Sequence, residues 1–181
     1  VDAAIRREVE VNKLKPEQAR ERARGYAYEI AADFSPAVIR ISERVLSRLW
    51  DRLYDGIEIG HLDRLKAVAE GNEIVYVPCH RSHIDYLLLS YGVYRNGLAC
   101  PHIAAGLNLN LPLLGPILRR GGAFFLRRSF RDNPLYAAVF NKYLSLNLAK
   151  GVPIEYFIEG GRSRTGRLRP ARPGMLSMTV R

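Results

Sequence analysis

From Pro16 to about Asp33 the spacing of apolar and charged positions predicts a helix, with Pro16 in its first turn. Ser35-Pro36 repeats the start signal, Ser as N-cap and Pro at the first helical position. Val38, Ile39, Val45, Leu46, Leu49, Trp50 and Leu53 then recur at three- and four-residue steps. That spacing predicts one apolar face packed on a neighbour, with Arg40, Glu43, Arg44, Arg48 and Asp51 elsewhere on the cylinder. Gly56 ends this helix.

Beyond Gly56 short apolar runs alternate with helical stretches. Residues 57–59 read as a short extended piece and 62–70 as a helix stopped by Gly71. Residues 73–78 (E-I-V-Y-V-P) read as a strand, and 84–95 as a helix closed by Asn96-Gly97. A strand over 102–105, a short helix over 112–120 and a strand over 123–127 (A-F-F-L-R) follow. Asp132-Asn133-Pro134 opens a helix that Gly151 stops, and 154–158 (I-E-Y-F-I) is the last strand. This order predicts an α/β fold, a mainly parallel sheet with flanking helices, preceded by an N-terminal helical segment. The expected division is a helical segment over 1–56 and an α/β domain over 57–181. A sheet with so little after its last strand, and Val1 in place of a start Met, point to a piece of a longer chain, cut before the domain is complete.

Charge sharpens the picture. The 181 residues carry a net charge of +10. Residues 1–70 hold 13 Lys+Arg against 13 Asp+Glu, and residues 71–181 hold 15 against 5, so the whole excess lies in the predicted α/β part. Its partner is expected to be anionic: a phosphorylated metabolite, a nucleotide-bearing carrier, an acidic protein, a lipid surface or a nucleic acid. Hydrophobic residues at 48% and charged residues at 25% exclude a disordered or collagen-like chain. Cys79 and Cys100 form no Cys-x-x-Cys, which argues against a disulfide framework or cysteine zinc site and fits a reducing compartment. No apolar run approaches the roughly 18–20 residues of a spanning helix. The richest, 107–118, contains two prolines and two asparagines and could touch a membrane or pack inside.

Ligands of open α/β sheets bind beyond the carboxyl ends of the strands. Three such ends carry polar clusters: Cys79-His80-Arg81-Ser82-His83-Ile84-Asp85, then Arg127-Arg128, then Glu159-Gly160-Gly161-Arg162-Ser163-Arg164. His80 and Asp85 are five positions apart and would not face each other on one helix. They meet if His80 lies in the loop and Asp85 on the first turn of the following helix. A carboxylate on one imidazole nitrogen leaves the other free to take a proton from a hydroxyl. The same residues would equally satisfy a helix N-terminus. His80-x-x-His83-x-Asp85 lacks the spacing of a metal site, so none is expected. Arg127 and Arg128 point to opposite faces of an extended strand. An Arg fork suits a phosphate, and glycines after Glu159 let backbone amides approach an anion. Arg162, Arg164, Arg167, Arg169 and Arg172 also suggest an RNA-binding segment, but lack interleaved aromatic residues.

Together the blocks His80-Arg-Ser-His-Ile-Asp85, Gly122-Ala-Phe-Phe-Leu-Arg-Arg128 and Phe157-Ile-Glu159-Gly160 resemble the glycerolipid acyltransferase family, with its H-x4-D, aromatic-Arg-Arg and F-x-E-G motifs. The longer stretches H-R-S-H-I-D-Y-L-L-L-S-Y and Y-F-I-E-G-G-R-S-R-T-G-R are similar to its bacterial glycerol-3-phosphate branch. The resemblance runs from about residue 72 to 179. It implies transfer of a fatty acyl group from acyl-CoA or acyl-carrier protein to the sn-1 hydroxyl of glycerol 3-phosphate, with no cofactor. It implies His80 as general base and Asp85 as its orienting partner. Arg128 would bind the glycerol phosphate, Glu159 and Gly160 would lie in the substrate-binding block, and Arg162 would add a phosphate contact. It further implies peripheral association with an anionic lipid surface, the cytoplasmic face of the bacterial inner membrane, and no nucleic-acid partner. The competing expectation is a non-catalytic basic module that binds RNA or anionic membrane, which would need the arginines but neither His80 nor Asp85.

Overall fold

The computed structural model describes residues 1–130 and 132–180. Three helices come first: α1 (Asp2–Asn12), α2 (Pro16–Ile30) and α3 (Pro36–Leu53). After α4 (Leu62–Ala69) the chain alternates: β1 (Val75–Tyr76), α5 (Asp85–Arg95), β2 (His102–Gly106), α6 (Leu114–Arg120), β3 (Ala123–Leu126), α7 (Pro134–Leu148) and β4 (Ile154–Glu155). A short α8 (Gly174–Thr179) follows.

Local chemistry explains the boundaries. Pro134 stands at the start of α7, and the Asn133 side chain accepts the Tyr136 N–H at 2.9 Å. Pro16 and Pro36 open α2 and α3 as the pattern predicts, although Ser35 makes no side-chain cap bond. Gly71, Gly97 and Gly151 adopt positive φ where their helices end.

The four strands form one all-parallel sheet in the order β1-β4-β2-β3. This is the α/β class that the alternation predicts. After β3 the chain returns through α7 and inserts β4 between β1 and β2. The loop after β4 therefore emerges next to the loop after β1. Pairing is short: β1 and β4 are extended over more residues than they pair, so the six- and five-residue strands expected from sequence reduce to two residues each. The 57–59 segment forms no strand, and Ile57 and Ile59 are exposed.

One apolar core joins the N-terminal helices to the sheet. Ala23 and Ile30 of α2, Phe124 of β3, Leu135, Tyr136, Val139, Phe140, Leu144 and Leu148 of α7, and Ile154 and Tyr156 are buried together. Each large apolar side chain buried here contributes about 1.5–3 kcal/mol. Arg127 locks α2 to the end of β3: its guanidinium donates twice to Glu29, at 2.7 Å each, and lies over the Tyr26 and Tyr136 rings.

The single apolar face expected on α3 divides in two. Ile39 and Trp50 are buried, whereas Val45, Leu49 and Leu53 are exposed together with Ile41. The stripe is wide enough for two faces, and only one meets α5 and α6.

Candidate active site

The loop after β1 and the first residue of α5 bring His80 and Asp85 together. His80 Nδ1 lies 3.1 Å from Asp85 Oδ2, and the same oxygen accepts the N–H groups of Arg81 at 2.7 Å and Ser82 at 2.8 Å. Asp85 thus folds the loop back on itself and orients the imidazole. A carboxylate also suits the first turn of a helix, where the N–H groups point outward. Burial pulls the Asp85 ionisation upward, but the Ser82 and Arg81 N–H groups and His80 outweigh it and hold this carboxyl below its ordinary value. With Nδ1 donating to Asp85, Nε2 carries the free lone pair. The imidazole face stacks on Phe157, centroids 3.9 Å apart at 24°.

The backbone of His80 is held as firmly as its ring. Its N–H donates to Glu159 Oε1 at 3.1 Å, and its carbonyl accepts the Ser163 N–H at 2.7 Å. The other Glu159 oxygen accepts the Arg169 N–H at 2.9 Å. Those N–H groups of Arg169 and His80 keep the Glu159 carboxyl below its ordinary value. Glu159 is buried and ties the loop after β1 to the loop after β4. Gly160 has φ of 63°, and a Cβ there would stand 2.8 Å from Arg172 Cδ, so the turn after Glu159 needs glycine on both counts.

An open concavity of about 550 Å³ adjoins this brace, lined by Arg162, Ser163, Arg164, Thr165 and Arg169. Arg162 faces the start of α5: burial raises the Tyr86 phenol, and the Arg162 charge opposes that rise. His83 stands edge-on between His80 and Tyr86, at 6.3 and 6.1 Å between centroids. Its ring lies beside the dyad without bonding to it.

Arg127 and Arg128 part, although β3 ends at Leu126 and Arg128 already lies in a bend. Arg127 turns inward to Glu29, and Arg128 is exposed. Arg128 follows β3, at the opposite edge of the sheet from β1. Three strand spacings separate those edges, about 14 Å. His80, Asp85, Glu159, Gly160 and Arg162 therefore form one close cluster, and Arg128 approaches the same sheet edge from its far side.

Phe157, the Ser163 and Arg169 amides and Glu155 complete this region; Phe157, Ser163 and Arg169 stood in the sequence blocks without these roles, and Glu155 was not a candidate. One signal was available. Residues 154 and 156 enter the core, so 155 and 157 belong to the opposite face by the two-residue period of an extended chain.

Residues 57–181 match the family model for acyltransferases. Over all 181 residues the chain is 56% identical to a glycerol-3-phosphate acyltransferase of Pseudomonas fluorescens strain Pf-5, 58% to one of Pseudomonas syringae pv. syringae and 59% to one of Pseudomonas aeruginosa strain UCBPP-PA14. Each alignment takes in 100% of this chain and 22% of the relative, so the chain spans about a fifth of the length of these curated proteins. The family match contains all three motif blocks, and it covers the sheet whose carboxyl edge carries them. The chain belongs to the acyltransferase family.

Proposed function

We propose that the protein to which this chain contributes transfers a fatty acyl group from acyl-CoA or acyl-carrier protein to the sn-1 hydroxyl of glycerol 3-phosphate. The observation that carries this reading is the His80–Asp85 contact, which leaves Nε2 free beside a basic concavity. Nε2 takes the hydroxyl proton as the oxygen attacks the thioester carbonyl. The tetrahedral intermediate collapses, the carbon–sulfur bond breaks, and the imidazolium returns its proton to the leaving thiolate. Asp85 stabilises the imidazolium throughout. General-base assistance of this kind contributes about 10²–10⁴-fold.

The acceptor phosphate needs cations, and arginine supplies a planar fork for it. Arg162 lies in the loop bonded to the His80 carbonyl and Arg128 follows β3 at the same carboxyl edge, so a phosphate held between them would leave the distal hydroxyl toward His80. Glu159 and Gly160 act in this reading by fixing the loop that carries Arg162. The Pseudomonas relatives are glycerol-3-phosphate acyltransferases, which agrees with this acceptor.

The product is a lipid, and we place the site at the cytoplasmic face of the bacterial inner membrane, peripherally attached through these residues. Leu111, Leu113, Leu114 and Ile117 are exposed around the start of α6, with Leu113 87% exposed. The net charge of +10 favours an anionic surface. Among the described residues no helix is long and apolar enough to cross a membrane. Thiol release from acyl-CoA, measured on the full chain with and without glycerol 3-phosphate, tests the reaction. Release that depends on the acceptor supports it, and RNA binding without release would instead favour the basic-module reading.

A further inference from the structure

Glu155 is one of only five acids after residue 70, and it is completely buried in the middle of the sheet. Its strand neighbours are Tyr76 of β1 and Ile103 of β2. Neither carboxyl oxygen has a hydrogen-bond partner among the described residues. By the alternation of an extended chain its side chain lies on the face that also carries Phe157, which stacks on His80.

The ionisable groups around it are Tyr76 on β1, Cys100 before β2 and Asp85 on α5. All of them are neutral or negative near pH 7, and no cation is among them. An ionised carboxylate there would have neither solvent nor a counter-charge, a far larger cost than burying the acid form. The carboxyl is therefore protonated at neutral pH. Burial first, and the Asp85 charge second, push it up to about 8. Tyr76 and Cys100 feel the same carboxyl: each is raised by burial first, and Glu155 adds to the rise.

A carboxyl without partners costs stability where Met or Leu would not, and such groups concentrate at functional sites. We propose that Glu155 is a positioning residue of this site, a neutral carboxyl behind the His80–Asp85 pair whose ionisation would set a buried charge against Asp85. While Glu155 is neutral, the Asp85 carboxylate keeps its geometry toward the loop N–H groups and the imidazole. Once Glu155 ionises, its buried charge repels the partly exposed Asp85 carboxylate, and the two titrations couple.

The catalytic part of this inference rests on the general-base reading of His80, and the test separates the two. Histidine-selective imidazole NMR on the full chain follows His80 from pH 5 to 10, its resonance assigned by loss in His80→Gln. In the parent the His80 shifts should move in a second step near pH 8, and Glu155→Gln should lose that step. Glu155→Met, similar in volume, serves if the Gln variant does not fold. The pH profile of kcat should lose an inflection in the same place, while KM for glycerol 3-phosphate holds. His80 curves that superimpose in parent and variant overturn the proposal. If turnover by the full-length protein survives His80→Ala, yet the second step vanishes only with Glu155, the general-base reading fails and the coupling stands.

Discussion

Glu159 Oε1 accepts the backbone N–H of His80 at 3.1 Å, so the acid of the third motif block holds the main chain of the first. The insertion of β4 beside β1 makes this contact possible across 79 residues. Glu159→Gln keeps one acceptor and gives up the charge, so the amides of His80 and Arg169 should lose protection together, by roughly tenfold or more. Hydrogen exchange read residue by residue checks this. Unchanged protection at both would mean that the brace is not structural.

The same loop should loosen in acid. Asp85 and Glu159 both ionise below their ordinary values in the folded protein. Their stabilisation is therefore complete above the ordinary carboxylate range and is lost as pH falls through the lowered values. Protection at Arg81 and Ser82 should decline in that acid window, ahead of the α7 core. Coincident loss with the core would contradict it.

Sequence spacing carried much of this site. His80 and Asp85 meet across a strand-to-helix turn as expected, because a carboxylate at the first turn of α5 satisfies loop N–H groups whatever the tertiary context. The parallel sheet follows from alternation. The order of the strands was not legible, since nothing local tells β4 to enter between β1 and β2. Glu155 and the stacking of Phe157 on His80 were hidden for that reason. The helix α1 lies inside the helical segment expected over 1–56, but its bounds were not legible: Ala4 and Ile5 are its only apolar residues packed against the core. Composition could not say whether 107–118 is exposed.

Arg127 and Arg128 should separate stability from acceptor use. Arg127→Ala removes the bidentate bond to Glu29 and two aromatic contacts. Its side chain is 35% exposed, so solvent screening limits the loss to about 1–2 kcal/mol. Arg128→Ala should leave the melting temperature alone and raise the glycerol 3-phosphate requirement roughly tenfold to a hundredfold, the worth of one charge-assisted bond. Thermal melts beside acceptor titrations decide it. A reversed assignment would mean that Arg128 is structural.

The start of α6 should carry lipid contact. Leu113→Asp with Ile117→Asp removes two exposed apolar side chains, each worth about 1.5–3 kcal/mol when buried, so flotation with anionic vesicles should fall at least roughly tenfold. Binding that remains should weaken with salt. Flotation equal to the parent would place the membrane contact elsewhere.

The central claim is that His80, oriented by Asp85, takes the proton of the acceptor hydroxyl. Its most direct test is acceptor-dependent thiol release from acyl-CoA by the full chain, parent against His80→Ala, with circular dichroism to show that both are folded. The expected result is a loss of about 10²–10⁴-fold in turnover for His80→Ala, with a comparable loss for Asp85→Asn and a smaller one for His83→Ala. Near-parent turnover by folded His80→Ala would contradict the mechanism outright.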